Sequence, residues 1–176
     1  MNKLLVIVDM QNDFVTGSLA NPEAEKIVPG IVDLINKWDD EIVTTKDTHE
    51  DNYLDTQEGR RLPIRHCILG ESGQKIVKDI SDALQNNSQK YLSSFSYTKD
   101  TFGSIFLGRF VKAYIYDEIY LCGTCTDICV ISNAIMCKSF SPESRIVVLK
   151  DLCAGTTKEN HENALKAMAQ CQIDIE

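Results

Sequence analysis

Cys129 stands in a stretch whose residue types and spacing suit nucleophilic chemistry. Residues 118–137 read E-I-Y-L-C-G-T-C-T-D-I-C-V-I-S-N-A-I-M-C. Ile119, Tyr120 and Leu121 make a short apolar run long enough for the end of a buried strand, and Gly123 and Thr124 break it. Thr126 and Asp127 are good helix N-caps, with Val130, Ala134 and Cys137 at helical spacing beyond them. The reading is strand, tight turn, helix, with Cys129 in the first helical turn. Unpaired backbone N–H groups and the positive end of the helix dipole there lower a thiol's pKa and favour the reactive thiolate. The same N–H groups can hold an oxyanion formed on a bound acyl group. The stretch is equally compatible with Cys129 as a small buried residue, a common fate of free cysteine. Cys122 and Cys125 spell C-x-x-C, but a metal site of that kind needs a second pair, and the sequence has none.

Other chemistry-bearing residues sit where apolar runs stop. Leu4 to Val8 reads as a fully buried strand ending at Asp9, and Glu41 to Thr45 as a second strand leading to Asp47 and His49. Residues 91–97 alternate as a strand that leads to Lys99. Helical patterns lie between them. Residues 22–38 carry Ile27, Val28, Ile31, Leu34, Ile35 and Trp38, with Asn21 as cap and Pro22 just inside. Pro29 and Gly30 predict a kink or split in that helix. Ile76, Ile80, Ala83 and Leu84 mark the next helix, Phe102 to Tyr114 another, and His161 to Ala169 the last, with a strand over Ser144 to Leu149 and a short one within 171–176. Residues 48–72 show no period, and a loop of that length is functional or mobile.

Strand–helix alternation implies an α/β fold, a three-layer α/β/α sandwich with a mainly parallel central sheet. In such sheets the ligand sits at the carboxyl ends of the strands. Two carboxylates, a histidine, a lysine and a cysteine are therefore delivered to one rim.

Composition narrows the classes. The chain has 176 residues, enough for one domain with a full core, and is 43% hydrophobic and 25% charged, as ordinary globular proteins are. A net charge of −8 argues against a nucleic-acid partner, which calls for a basic stripe. No stretch approaches the roughly 18 apolar residues of a membrane span. The N-terminal M-N-K-L-L-V-I-V-D-M is too short for a signal peptide and has no small-residue cleavage site, so it reads as a core strand. Seven cysteines, without disulfide-module spacing, point to a reducing cytoplasmic interior.

Five segments carry a family resemblance: V-I-V-D-M-Q-N-D-F at 6–14, T-K-D-T-H at 45–49, H-C-I-L-G-E-S-G at 66–73, K-D-T-F-G-S at 99–104 and G-T-C-T-D-I-C-V at 123–130. In these the chain resembles the isochorismatase-like cysteine hydrolases, most closely the nicotinamidase branch, over nearly its whole length. The resemblance implies a catalytic triad of Asp9, Lys99 and Cys129, with Cys129 as nucleophile toward an amide carbonyl. It also implies a cis peptide at Thr124–Cys125 and an oxyanion hole from the backbone N–H groups of Cys125 and Cys129. It further implies a divalent metal ion, zinc first with iron or manganese as alternatives, held by Asp47, His49 and His66 and binding the ring nitrogen of nicotinamide. Glu50 and Asp51 are placed to complete or perturb that site, and His161 reads as a surface or helix-cap residue. The implied partner is a small amide, and the implied assembly a homo-oligomer.

The chain departs from the nicotinamidase pattern at R-L-P-I-R-H, where Leu62 replaces an aromatic residue and one residue is added, and at Phe102-Gly103-Ser104-Ile105. A pocket wall is expected from Phe14, Phe102 and Thr124, with Tyr97 a further aromatic candidate. Related branches hydrolyse N-carbamoyl compounds, ureidoacrylates and maleamate, which leaves another amide open as substrate. A reading from a different class is a thiol redox or regulatory protein using Cys122, Cys125 and Cys129, but that role has no use for Asp9, Lys99 or the metal set. The segment 50–72 is expected to form part of a lid beside the metal.

Overall fold

Four runs rich in apolar and β-branched residues, 3–8, 41–47, 118–124 and 145–148, are too apolar on both faces to be left in water. They pair into one sheet, with the more polar, partly exposed 91–99 at one edge. The computed structural model describes residues 2–176. Its strands are β1 (Lys3–Val8), β2 (Glu41–Asp47), β3 (Tyr91–Lys99), β4 (Glu118–Thr124), β5 (Arg145–Ala154) and the short β6 (Asp174–Ile175). All pair in parallel, in the order β3-β2-β1-β4-β5-β6. Leu4 to Val8 are at most 1% exposed, so β1 is covered on both faces.

The helices are α1 (Asn12–Val15), α2 (Pro22–Lys37), α3 (Gln57–Arg61), α4 (Lys78–Asn86), α5 (Ile105–Ala113), α6 (Ile131–Phe140) and α7 (Lys158–Gln170). α2 packs on α4, while α5, α6 and α7 form a second packed set, completing the three layers. Asn21 caps α2 through its side chain and Pro22 opens it, as expected. Pro29 does not split that helix, which runs unbroken to Lys37. α5 starts three residues later than its apolar pattern, because the Ser104 side chain accepts the Leu107 N–H and sets the cap there.

Strand order places the site. The chain runs outward from β1 through β2 to β3, then returns to β4 and runs the other way, so β1 and β4 flank the topological switch point. A crevice opens there at the carboxyl ends, where the connections diverge. β1 and β4 approach closely: a Cβ on Gly123 would lie 2.1 Å from the Val8 carbonyl oxygen, and Gly123 has φ +121°. Only glycine fits that position.

Candidate active site

Asp9 terminates β1 in a left-handed backbone conformation, φ +49°, which turns its side chain into the crevice. Its carboxylate is fully buried. Oδ1 accepts the Thr45 hydroxyl at 2.6 Å, and Oδ2 lies 2.6 Å from Lys99 Nζ. The Lys99 ammonium, delivered by the end of β3, is also 3.6 Å from Cys129 Sγ and 3.6 Å from Asp47 Oδ1. Three elements distant in sequence thus place carboxylate, ammonium and thiol in one contact group.

Cys129 reaches that group by a turn different from the expected one. The Thr124–Cys125 peptide is cis, as the resemblance implies, but Thr126–Val130 forms a π-helical turn before α6 where the sequence pattern predicts the first turn of an α-helix. Thr126 and Asp127 do not cap it. The Thr126 hydroxyl bonds His161 Nδ1 at 2.8 Å, and Asp127 accepts the Thr156 N–H at 2.8 Å and the Thr156 hydroxyl at 2.5 Å. These side chains pin the turn to the start of α7 instead. His161 is therefore a half-buried brace, contrary to its reading as a surface or cap residue. The Cys125 carbonyl accepts the N–H groups of Ile128 and Val130, closing the turn from within.

Protonation follows from burial. Burial raises the Asp9 pKa and the Asp47 charge adds to it, while Lys99 opposes. Burial also pushes the Cys129 thiol well above its ordinary value, with Asp9 raising it further and Lys99 opposing. For Lys99, burial works against the charge, but Asp9, Cys129 and Asp47 outweigh it and raise its pKa. Burial thus works against the thiolate that the helix-start argument favours, while the Lys99 ammonium supports it.

Asp47, His49 and His66 form a second group, all at most 6% exposed, whose ligand atoms lie within 4.8 Å of one another. His49 Nε2 is 2.9 Å and His66 Nε2 3.3 Å from Asp47 Oδ2. His66 Nδ1 is 2.8 Å from the Ile64 carbonyl oxygen, a bond that orients the ring with Nε2 toward Asp47. Burial raises the Asp47 pKa, but the two histidines and Lys99 outweigh it and hold the carboxyl well below its usual range. A buried carboxylate with two converging imidazoles fits a divalent ion with mixed N/O preference, zinc, iron or manganese. Glu50 is exposed, and Asp51 pairs with Arg65 at 2.9 Å, so neither belongs to this group. The nearby carboxylate is Glu58 on α3, with Oε1 3.9 Å from His49 Nε2.

Sequence reasoning missed three supporting residues. Gln11, fully buried, clamps the Asp47 backbone: its Oε1 accepts the Asp47 N–H at 2.7 Å, and its Nε2 donates to the Asp47 carbonyl at 2.8 Å. Asn133, fully buried in α6, donates to the Cys129 and Phe102 carbonyls and accepts the Ser104 N–H, joining the nucleophile turn to the loop after Lys99. Asp13 accepts the Cys67 N–H at 2.7 Å and so holds the segment that follows His66. The available signal was a polar residue inside an otherwise apolar pattern, as at Asn133.

A cavity of about 400 Å³ opens over both groups, lined by Cys125, Cys129, Asp47 and His66 together with the apolar walls Phe14, Leu62, Phe102 and Ile128. Phe14 and Phe102 are where the sequence places them. Thr124 is not: it is fully buried and its hydroxyl donates to the Ala154 carbonyl at 3.2 Å, because the strand is still paired there. Tyr97 also lies outside the cavity, its ring against Phe95 and Phe110. Segment 50–72 carries Glu58, Leu62 and His66 to the lining.

The fold is thus an all-parallel α/β sheet flanked by helices, with a buried Cys–Lys–Asp group at its switch point. Residues 3–175 match the model of the isochorismatase domain, and the chain belongs to the isochorismatase family. The nicotinamidase of Saccharomyces cerevisiae is 27% identical over 173 residues, spanning 76% of this chain and 80% of its own. A pyrazinamidase/nicotinamidase of Streptococcus mutans superposes with a TM-score of 0.86 at 26% identity, covering 99% of this chain and 100% of its own. The pyrazinamidase of Pyrococcus horikoshii, solved in complex with zinc, superposes at 0.80 and 26% identity, covering 100% and 99%. Among the described residues no helix is long and apolar enough to cross a membrane.

Proposed function

We propose that this isochorismatase-family hydrolase is a nicotinamidase, converting nicotinamide and water to nicotinate and ammonia. The single observation that carries the reading is that one cavity holds both Cys129, 3.6 Å from Lys99 Nζ, and the buried donors Asp47 and His66. The four apolar walls suit a flat ring.

In this mechanism Asp9 takes the thiol proton as Cys129 Sγ attacks the carboxamide carbon. The Asp9 Oδ2 that pairs with Lys99 at 2.6 Å keeps a further lone pair for that proton. The Lys99 ammonium offsets negative charge passing from Asp9 to sulfur, and the backbone N–H groups of Cys125 and Cys129 hold the oxyanion. The tetrahedral adduct collapses to a thioester as Asp9 returns its proton to departing ammonia. Asp9 then deprotonates the water that releases the acid. Asp47, His49 and His66 would hold the divalent ion, which as a Lewis acid supplies a binding point for a ring nitrogen.

The test is ammonia release from nicotinamide by the purified protein, with metal analysis and a Cys129→Ala control. Turnover that requires both Cys129 and metal supports the reading. Metal binding without turnover on nicotinamide moves the substrate to another small amide or ureido compound. Leu62 in the wall, where the branch carries an aromatic residue, is the observation that favours this second reading.

A further inference from the structure

A second cavity, of about 610 Å³, lies between α4 and the β2–β3 edge of the sheet. Lys46, Lys75 and Lys78 line it, beside Asn12, Ser93 and Ser96. Three cations in one cleft run against a chain whose net charge is −8. The carboxylate in the lining is Asp82, and it is taken by Lys78 at 2.5 Å. Lys46 is half-buried, yet among the described residues neither it nor Lys75 has a carboxylate within 4.0 Å or a side-chain hydrogen bond. Lys75 is exposed, and a cleft whose unpaired charges are all of one sign focuses its field on an incoming anion. Lys78, the first residue of α4, stands in the same lining.

The donor inventory is therefore two ammonium groups without a carboxylate partner, the Asn12 amide and the Ser93 hydroxyl. That set suits phosphate oxygens, which accept many hydrogen bonds and donate few. The volume lies within the roughly 300–1,000 Å³ of small-molecule sites and exceeds what bare phosphate fills. We propose that this cleft binds a phosphate-bearing metabolite of nucleotide size. The proposal does not depend on which amide the catalytic cavity takes.

The cleft has a built connection to the catalytic cavity. Lys46 sits in β2 between Thr45, which bonds Asp9, and Asp47. The Asn12 N–H donates to the Lys75 carbonyl at 2.9 Å, and neighbouring Gln11 joins the Gln74 carbonyl to the Asp47 backbone. A ligand that draws Lys46 and Lys75 together acts on the same short segments that hold Asp47.

The experiment is calorimetric titration of the full chain with pyrophosphate and with ADP in phosphate-free buffer, using adenosine as the uncharged control. Saturable binding of one equivalent is expected, tighter for ADP than for pyrophosphate and absent for adenosine. Lys46→Gln with Lys75→Gln weakens it about tenfold or more, the loss of two charge-assisted contacts. Lys46→Arg with Lys75→Arg retains it, and Lys112→Gln with Lys150→Gln, exposed lysines elsewhere, leaves it unchanged. No saturable binding of either anion, or equal loss in the control pair, overturns the site. If the glutamine pair does not fold, amide shifts of the wild-type chain decide: ADP must move Lys46, Lys75 and Ser93, and shifts confined to the catalytic cavity overturn the proposal.

Discussion

Lys99 Nζ lies 2.6 Å from Asp9 Oδ2 in a space from which both side chains are almost wholly shielded from solvent. Each charge is tolerable there only because of the other. Replacing Lys99 with Met leaves the carboxylate uncompensated and lowers stability by about 3–5 kcal/mol, a cost the double variant Asp9→Asn/Lys99→Met recovers in part. Urea unfolding of the four proteins measures it, and simple additivity would contradict the pairing.

Asp9→Asn keeps the shape of the site and removes its base. The expected loss in kcat is about 10²–10⁴-fold, with the fold retained by circular dichroism. A redox protein built on Cys122, Cys125 and Cys129 would keep its thiol exchange in this variant, so assaying both activities separates the two classes.

The acid limb of kcat/KM reports Asp9. Burial raises its folded pKa above the ordinary 3.8, so the limb is expected above that value. The sign for stability is opposite to that for activity. A raised carboxyl contributes stability that is present below 3.8 and lost as pH rises through its folded pKa, so the ionised form needed for catalysis opposes folding. Lys99→Met moves the limb further up, because the opposing charge is gone. A limb at or below 3.8 in the native enzyme contradicts this account.

Removing the metal with a chelator is expected to abolish turnover of nicotinamide and lower Tm, both restored by adding back a divalent ion. His66→Ala prevents loading. Glu58→Gln, altering a carboxylate 3.9 Å from His49 Nε2, weakens metal retention by about 10–100-fold without abolishing it. Equilibrium dialysis of the three proteins checks the order.

Gly123→Ala brings a methyl group 2.1 Å from the Val8 carbonyl oxygen at a backbone angle unsuited to L side chains. The expected destabilisation exceeds about 4 kcal/mol, seen as loss of soluble protein or a collapsed melting transition. A near-native Tm would show that β1 and β4 can separate at the switch point.

Much of this protein was legible in the chain itself. Runs such as Leu4–Val8 can only be buried, so they mark strands, and the polar residue that stops each run is the one left at the rim. That local rule found Asp9, Asp47, His49 and Lys99. Residues whose roles depend on distant partners were not legible in this way. Gln11 meets Asp47 across 36 positions and Thr126 meets His161 across 35, so nothing near either residue announces the contact. Thr126 and Asp127 carried a strong local signal for capping, and packing against α7 overrode it. The opposing pull of burial on the thiol also escaped the sequence, because the dipole of a helix start is local whereas burial is set by the whole fold. Sequence alone determined which chemical groups arrive at the rim. Tertiary structure decided which of them touch and in what charge state, because desolvation and long-range contacts exist only once the sheet has closed.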